Sequence, residues 1–131
     1  MAEHPDITLI RKGYDAFNRA DIATLSEVLA SDVEQHMVGD NLVSGDYKGL
    51  ENVLGFYGKL AELSGGTYGV DIESVFTDGN GKVVVIHGQR GERNGRQLTV
   101  RQALIFTVVA GKVVDLHDTT EDLGAEDAFW A

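Results

Sequence analysis

The chain has 131 residues, 43% of them apolar, and its 21 acidic against 11 basic side chains give a net charge of −10 and a pI near 4.6. That is enough material for one domain with a real core, and too acidic to suit nucleic acid or an anionic membrane surface, both of which call for Lys and Arg. There is no cysteine, which excludes disulfides, thiolate chemistry and cysteine-ligated zinc.

The opening "MAEHPDITLI" has no basic head followed by an apolar run, and no stretch is apolar for long enough to span a bilayer. The expectation is a cytoplasmic protein. No repeat or linker interrupts the chain, so residues 1–131 read as a single domain. Over 6–20, Ile7, Ile10, Tyr14 and Phe17 share one helical face, with Asp6 placed to cap it. A second short helix starts at Asp21, turning Ile22, Leu25 and Leu29 inward. "DVEQHMV" reads as a short strand and "SGDYKG" as a loop. Leu50, Val53, Tyr57 and Leu60 mark a third helix, stopped by Ser64-Gly65-Gly66.

The period then changes from helical to alternating. Residues 67–77, 82–92, 96–109 and 112–120 read as four strands joined by "DGNG", Asn94-Gly95 and Ala110-Gly111. Asn-Gly favours a two-residue hairpin because both turn residues need positive φ. The tail is acidic and has helical character, bearing Leu123, Phe129 and Trp130. Three helices, one strand and an antiparallel meander make an α+β domain. A long twisted sheet curls, so helices can close its concave side and leave a cone with a pocket.

Turn type sets the register. An Asn94-Gly95 turn opposes His87 to Gln102, Val85 to Leu104 and Val83 to Phe106. If Gly111 is the bulge residue of a three-residue loop, Phe106 faces Val114, Leu104 faces Leu116 and Gln102 faces Asp118. A plain two-residue turn would oppose Ala103 to Asp118. The bulged form, which sets the bulkier apolar residues against each other, is preferred. A polar row of His87, Gln102 and Asp118 then lies above an apolar floor, which is the ordinary form of a ligand pocket.

The stretch "VVDLHDTT" therefore places Asp118 on the same face as Leu116. A carboxyl in apolar surroundings is poorly solvated, its pKa rises, and it becomes a proton donor near neutral pH or a stronger base once ionised. Asp118 and His87 are the candidate catalytic pair. Gln102, Gln89, Leu104, Phe106 and Leu116 are expected to contact substrate from the sheet, with Tyr14 from the first helix, His36 at the mouth and Trp130 over the opening. His117 should point outward. No histidine or acid pair has ligand spacing on one element, so no metal is expected. "GNGKVV" lacks the third glycine of a dinucleotide loop, no serine sits in a nucleophile elbow, and no cofactor is expected.

The segments "YDAFNRADIATLSEVLASDV", "SGDYKGLENVLGFYGKLAELSGGTY", "IFTVVAGKVVDLHD" and "DAFW", in that order, resemble the SnoaL-like polyketide cyclases of the nuclear transport factor 2-like superfamily. The resemblance covers nearly the whole chain. It implies a cone-shaped α+β fold, a curved antiparallel sheet with three N-terminal helices enclosing a cavity, and a homodimer formed through the sheet. It also implies an acid/base Asp seven residues after the glycine of the last hairpin, which here is Asp118. Limonene-type epoxide hydrolases are similar at that position. The assisting His of the cyclases falls on Leu104, and the Arg and Asp of the epoxide-hydrolase triad fall near His87 and Gln89. Where many relatives have a Trp and a Pro, this chain has Gln35 and Val38. Fold alone does not set activity. The site residues point to a cofactor-independent enzyme doing general acid/base chemistry on a hydrophobic small molecule, of cyclase, isomerase or epoxide-opening type. The alternative is a small-molecule binding or accessory protein with the same cavity.

Overall fold

The computed structural model describes residues 3–131. Helix α1 (Pro5–Asn18) is capped by His4, not Asp6: the His4 ring Nδ1 accepts the Asp6 amide at 3.1 Å. Pro5 fills the first turn, where its missing N–H costs nothing. Helix α2 (Ile22–Val28) begins just after Asp21, which caps it: the Asp21 carboxylate accepts the Thr24 amide at 3.1 Å. Leu25 and Leu29 turn inward, Leu29 as the first residue of the first strand, but Ile22 is exposed.

Strand β1 (Leu29–Met37) is longer than expected, and "SGDYKG" holds a short strand, β2 (Gly45–Lys48), paired antiparallel to it. Helix α3 (Leu50–Leu63) ends at Ser64, where Gly65 and Gly66 take φ of 61° and 80°. Strands β3 (Gly69–Thr77) and β4 (Lys82–Arg93) follow. The stretch expected as one strand over 96–109 is two, β5 (Arg96–Leu98) and β6 (Arg101–Val109). Strand β7 (Lys112–Thr120) leads to a short fourth helix, α4 (Leu123–Phe129).

The strands run in the order β2-β1-β7-β6-β4-β3, with β5 beside β4. The sheet is mixed, because β1 lies parallel to β7. Only hairpin-linked neighbours are bound to be antiparallel, and α3 and the meander separate these two strands. Helices α1, α2 and α3 cover the inner face and form the main core with Val83, Val85, Leu104, Phe106 and Val113. A second core gathers Phe129 and Trp130 against Leu98, Val100, Phe56 and Leu60. Among the described residues no helix is long and apolar enough to cross a membrane.

Both informative hairpins use two-residue turns with both residues at positive φ: Asn94 and Gly95 at 51° and 78°, Ala110 and Gly111 at 51° and 75°. The first gives the expected pairs, His87 with Gln102, Val85 with Leu104 and Val83 with Phe106. The second differs. Val109 pairs with Lys112, and the extra residue sits inside β7, where Thr107 faces Asp115 and Val108 faces Val113. The pairs are therefore Phe106 with Leu116, Leu104 with Asp118 and Gln102 with Thr120. Val114 is the bulged residue, so Val113 takes its place in the core. Leu116 and Asp118 keep their inward direction, because the register moved by two and the side-chain period is two.

Candidate functional site

Between the three helices and the sheet lies a cavity in which about 80 Å³ admits the centre of a water molecule. That is room for a small ligand or several waters. Its wall is largely aliphatic and aromatic, with Ile10, Val28, Leu104, Phe106 and Leu116 among the contributors. Seven polar side chains break it: Tyr14, Gln35, Tyr57, Tyr68, His87, Gln102 and Asp118.

Asp118 is 3% exposed. Burial pushes its carboxyl up to about 8; a hydrogen bond from Gln35 works against this, Glu126 adds to it, and His36 opposes it weakly. The Gln35 contact, Nε2 to Oδ1 at 3.5 Å, is at the long limit of a hydrogen bond. Asp118 is thus a desolvated acid, protonated near neutral pH, with only a loose hold on its wall. Gln35 Oε1 accepts the Tyr57 hydroxyl at 2.7 Å.

His87 lies two strands away, and burial lowers its pKa, so its ring is neutral at pH 7. Nδ1 is 2.6 Å from the Tyr14 hydroxyl and Nε2 is 2.9 Å from Gln102 Oε1. Gln102 Nε2 donates to Glu126 Oε1 at 2.8 Å. Gln89 Nε2 donates to the same oxygen at 2.6 Å and to the Val100 carbonyl at 3.0 Å, while Gln89 Oε1 accepts the Tyr68 hydroxyl at 2.7 Å. Glu126 sits on α4, fully buried behind the cavity wall, and its Oε2 has no hydrogen-bond partner among the described residues.

Of the residues expected from sequence, Asp118, His87, Gln102, Tyr14, Leu104, Phe106 and Leu116 line this one cavity. Three lie elsewhere. Gln89 is one inward step further along β4, under α4, and touches Glu126. Trp130 is fully buried in the second core against Phe129 and Tyr68. His36 alternates with Gln35 on β1 and so faces the other way, between Asp46 at 2.7 Å and Asp115 at 3.0 Å. Asp46 raises its pKa most, burial opposes this, and Asp115 adds to the rise. Glu34, His36 and Asp115 bring potential metal-ligand atoms within 4.8 Å of one another, outside the cavity. Both His36 nitrogens are committed to carboxylates there.

Gln102 does not face Asp118 as the expected register had it, and Gln35 is the residue beside that carboxyl. The internal bulge of β7 sets Gln102 across from Thr120, and the parallel β1 brings Gln35 alongside Leu116. Glu126, Tyr57 and Tyr68 were not singled out for the site. A carboxylate among 21 acids carries no mark of burial in sequence, Tyr57 reads as plain core, and Tyr68 carries no local signal.

Residues 10–116 match the SnoaL-like domain family. The uncharacterised protein Rv0034 of Mycobacterium tuberculosis is 34% identical over 131 residues, covering all of both chains. Among solved structures, Bal32a, from a soil-derived mobile gene cassette, superposes with a TM-score of 0.95 at 32% identity over 97% of each chain. A protein of unknown function with a cystatin-like fold from Xanthomonas campestris gives 0.89 at 28% identity, covering 95% of this chain and 97% of its own. The match spans both the helices and the sheet that build the cavity, and the chain belongs to the SnoaL-like domain family.

Proposed function

We propose that this protein is a cofactor-independent enzyme for a hydrophobic small molecule, with Asp118 as its general acid. The observation that carries the reading is a solvent-excluded carboxyl, raised to about 8 by burial, on the wall of an apolar cavity. Such a group is protonated at neutral pH yet close enough to ionisation to give its proton up. Delivered to a carbonyl oxygen, that proton assists ring closure or double-bond migration; delivered to an epoxide oxygen, it assists opening. Membership of the SnoaL-like family, with its polyketide cyclase and isomerase type of activity in general, supports the same class. His87 acts as a positioning residue for Tyr14, because both its nitrogens are bonded to protein. The homodimer implied by the resemblance fits the outer sheet face, where Phe76, Ile105 and Val109 are exposed.

A second reading, ligand binding without turnover, is favoured by the closed hydrogen-bond chain from Tyr14 to Glu126, which leaves Asp118 as the one acid on the cavity wall among the described residues. Comparing wild type with Asp118→Asn on cyclisable polyketones, β,γ-unsaturated ketones and epoxides separates the two. The enzyme reading expects turnover that falls about 10²- to 10⁴-fold in the variant. Equal rates in both proteins contradict it, and binding without turnover favours the second.

A further inference from the structure

Three tyrosines stand on the cavity wall; the surrounding network fixes where the hydroxyl protons of Tyr14 and Tyr68 go, and Tyr57 donates its own to Gln35. A backbone carbonyl can only accept, so Gln89 must face Val100 with its Nε2, at 3.0 Å. Gln89 Oε1 is then an acceptor, and the Tyr68 hydroxyl at 2.7 Å donates to it. The same Nε2 donates to Glu126 Oε1, the carboxyl oxygen that carries no proton of its own and so acts as an acceptor. Gln102 therefore also donates to it, at 2.8 Å, and turns its own Oε1 to His87 Nε2 at 2.9 Å. His87 Nε2 carries the ring proton. A neutral imidazole has only one, so Nδ1 is bare and takes the Tyr14 hydroxyl proton at 2.6 Å. Gln35, with Nε2 toward Asp118, receives the Tyr57 hydroxyl at 2.7 Å.

All three phenol protons are thus spent on the wall. What remains on each oxygen for a ligand is lone pairs. We propose that the cavity selects molecules that bring hydrogen-bond donors: an apolar ring compound whose hydroxyl or N–H groups point at the oxygens of Tyr14, Tyr57 and Tyr68. A ligand whose oxygens only accept meets lone pair with lone pair and leaves desolvated groups unpaired, which is a strong basis for rejection. The inference rests on the reading of this cavity as the ligand site. It deepens that reading by dividing the labour: Asp118 gives a proton, and the tyrosines receive hydrogen bonds from the rest of the molecule.

Three probes of one ring system test it by NMR titration: 2-naphthol, 2-methoxynaphthalene and 2-ethylnaphthalene. Naphthol and ether both offer an oxygen to Asp118, so their difference reads the donor, and the ethyl compound calibrates the added bulk. Naphthol should bind about fivefold or more tighter than either. An ether that binds as tightly as naphthol overturns the inference while leaving the cavity a ligand site. If no probe moves the resonances of cavity residues, the ligand-site reading falls together with this inference. Nitrogen-15 spectra of His87 give an independent check: the ring proton is expected on Nε2, and a proton on Nδ1 overturns the assignment whatever the probes do.

Discussion

Asp118 and Glu126 are both buried carboxyls, at 3% and 0% exposure, and they are held in opposite ways. Glu126 Oε1 accepts two amide donors, at 2.6 and 2.8 Å, from side chains that are themselves buried. Asp118 has one donor, at 3.5 Å, and a cavity in front of it. Burial alone therefore does not distinguish a structural acid from a reactive one. The number and closeness of the donors around it does, because short donors fix a carboxyl in place, whereas one with a single long contact is free to meet a ligand. Glu126 ties the wall together, and Asp118 is left facing the cavity.

The sharpest way to break the comparison is Glu126→Ala. It strands the Gln102 amide in a buried site and takes a second partner from Gln89, and should cost about 3 kcal/mol in urea denaturation. A loss under about 1 kcal/mol would place Glu126 outside the framework that orients Gln102 and His87.

Asp118→Asn should act in the opposite sense and depend on pH. In the native state the carboxyl keeps its proton up to about 8, whereas the unfolded chain loses it near the ordinary 3.8. Between those values the native state binds more protons, so wild-type stability falls as pH rises from about 4 to about 8. Asparagine has no charge to bury. The variant should match wild type at pH 4 and exceed it by about 2 kcal/mol at pH 9, less than the full shift implies because the charged carboxylate draws water into the cavity. Thermal melts across that range read the crossover.

The smallest effect concerns the hairpin that carries Asp118. Ala110 holds φ of 51°, a left-handed conformation that asparagine tolerates better. Ala110→Asn should raise stability by about 0.5–1 kcal/mol and leave the pH dependence set by Asp118 unchanged. A change in that dependence would mean the turn itself sets the carboxyl's environment.

This hairpin also shows what sequence could and could not reveal. Asn94-Gly95 names its turn type by composition, so the facing of His87 and Gln102 was legible. Ala110-Gly111 adopts the same turn with a residue that does not advertise it, and the bulge lies at Val114, inside the strand rather than in the loop. The inward direction of Asp118 survived because it depends on parity, which a shift of two preserves. Its neighbours did not survive, because they depend on the register. The parallel pairing of β1 with β7, which supplies Gln35, and the docking of seven-residue α4, which buries Glu126, are long-range packing events with no local signal. The fold's elements were therefore readable, as was one end of the site, while the polar wall behind it was not.

The most direct measurement is the protonation of Asp118 itself, followed through its carboxyl carbon by NMR from pH 3 to pH 10. A midpoint near 8 is expected. A midpoint near 4 would mean the carboxylate is already ionised and solvated at neutral pH, and would contradict a proton donor in this cavity.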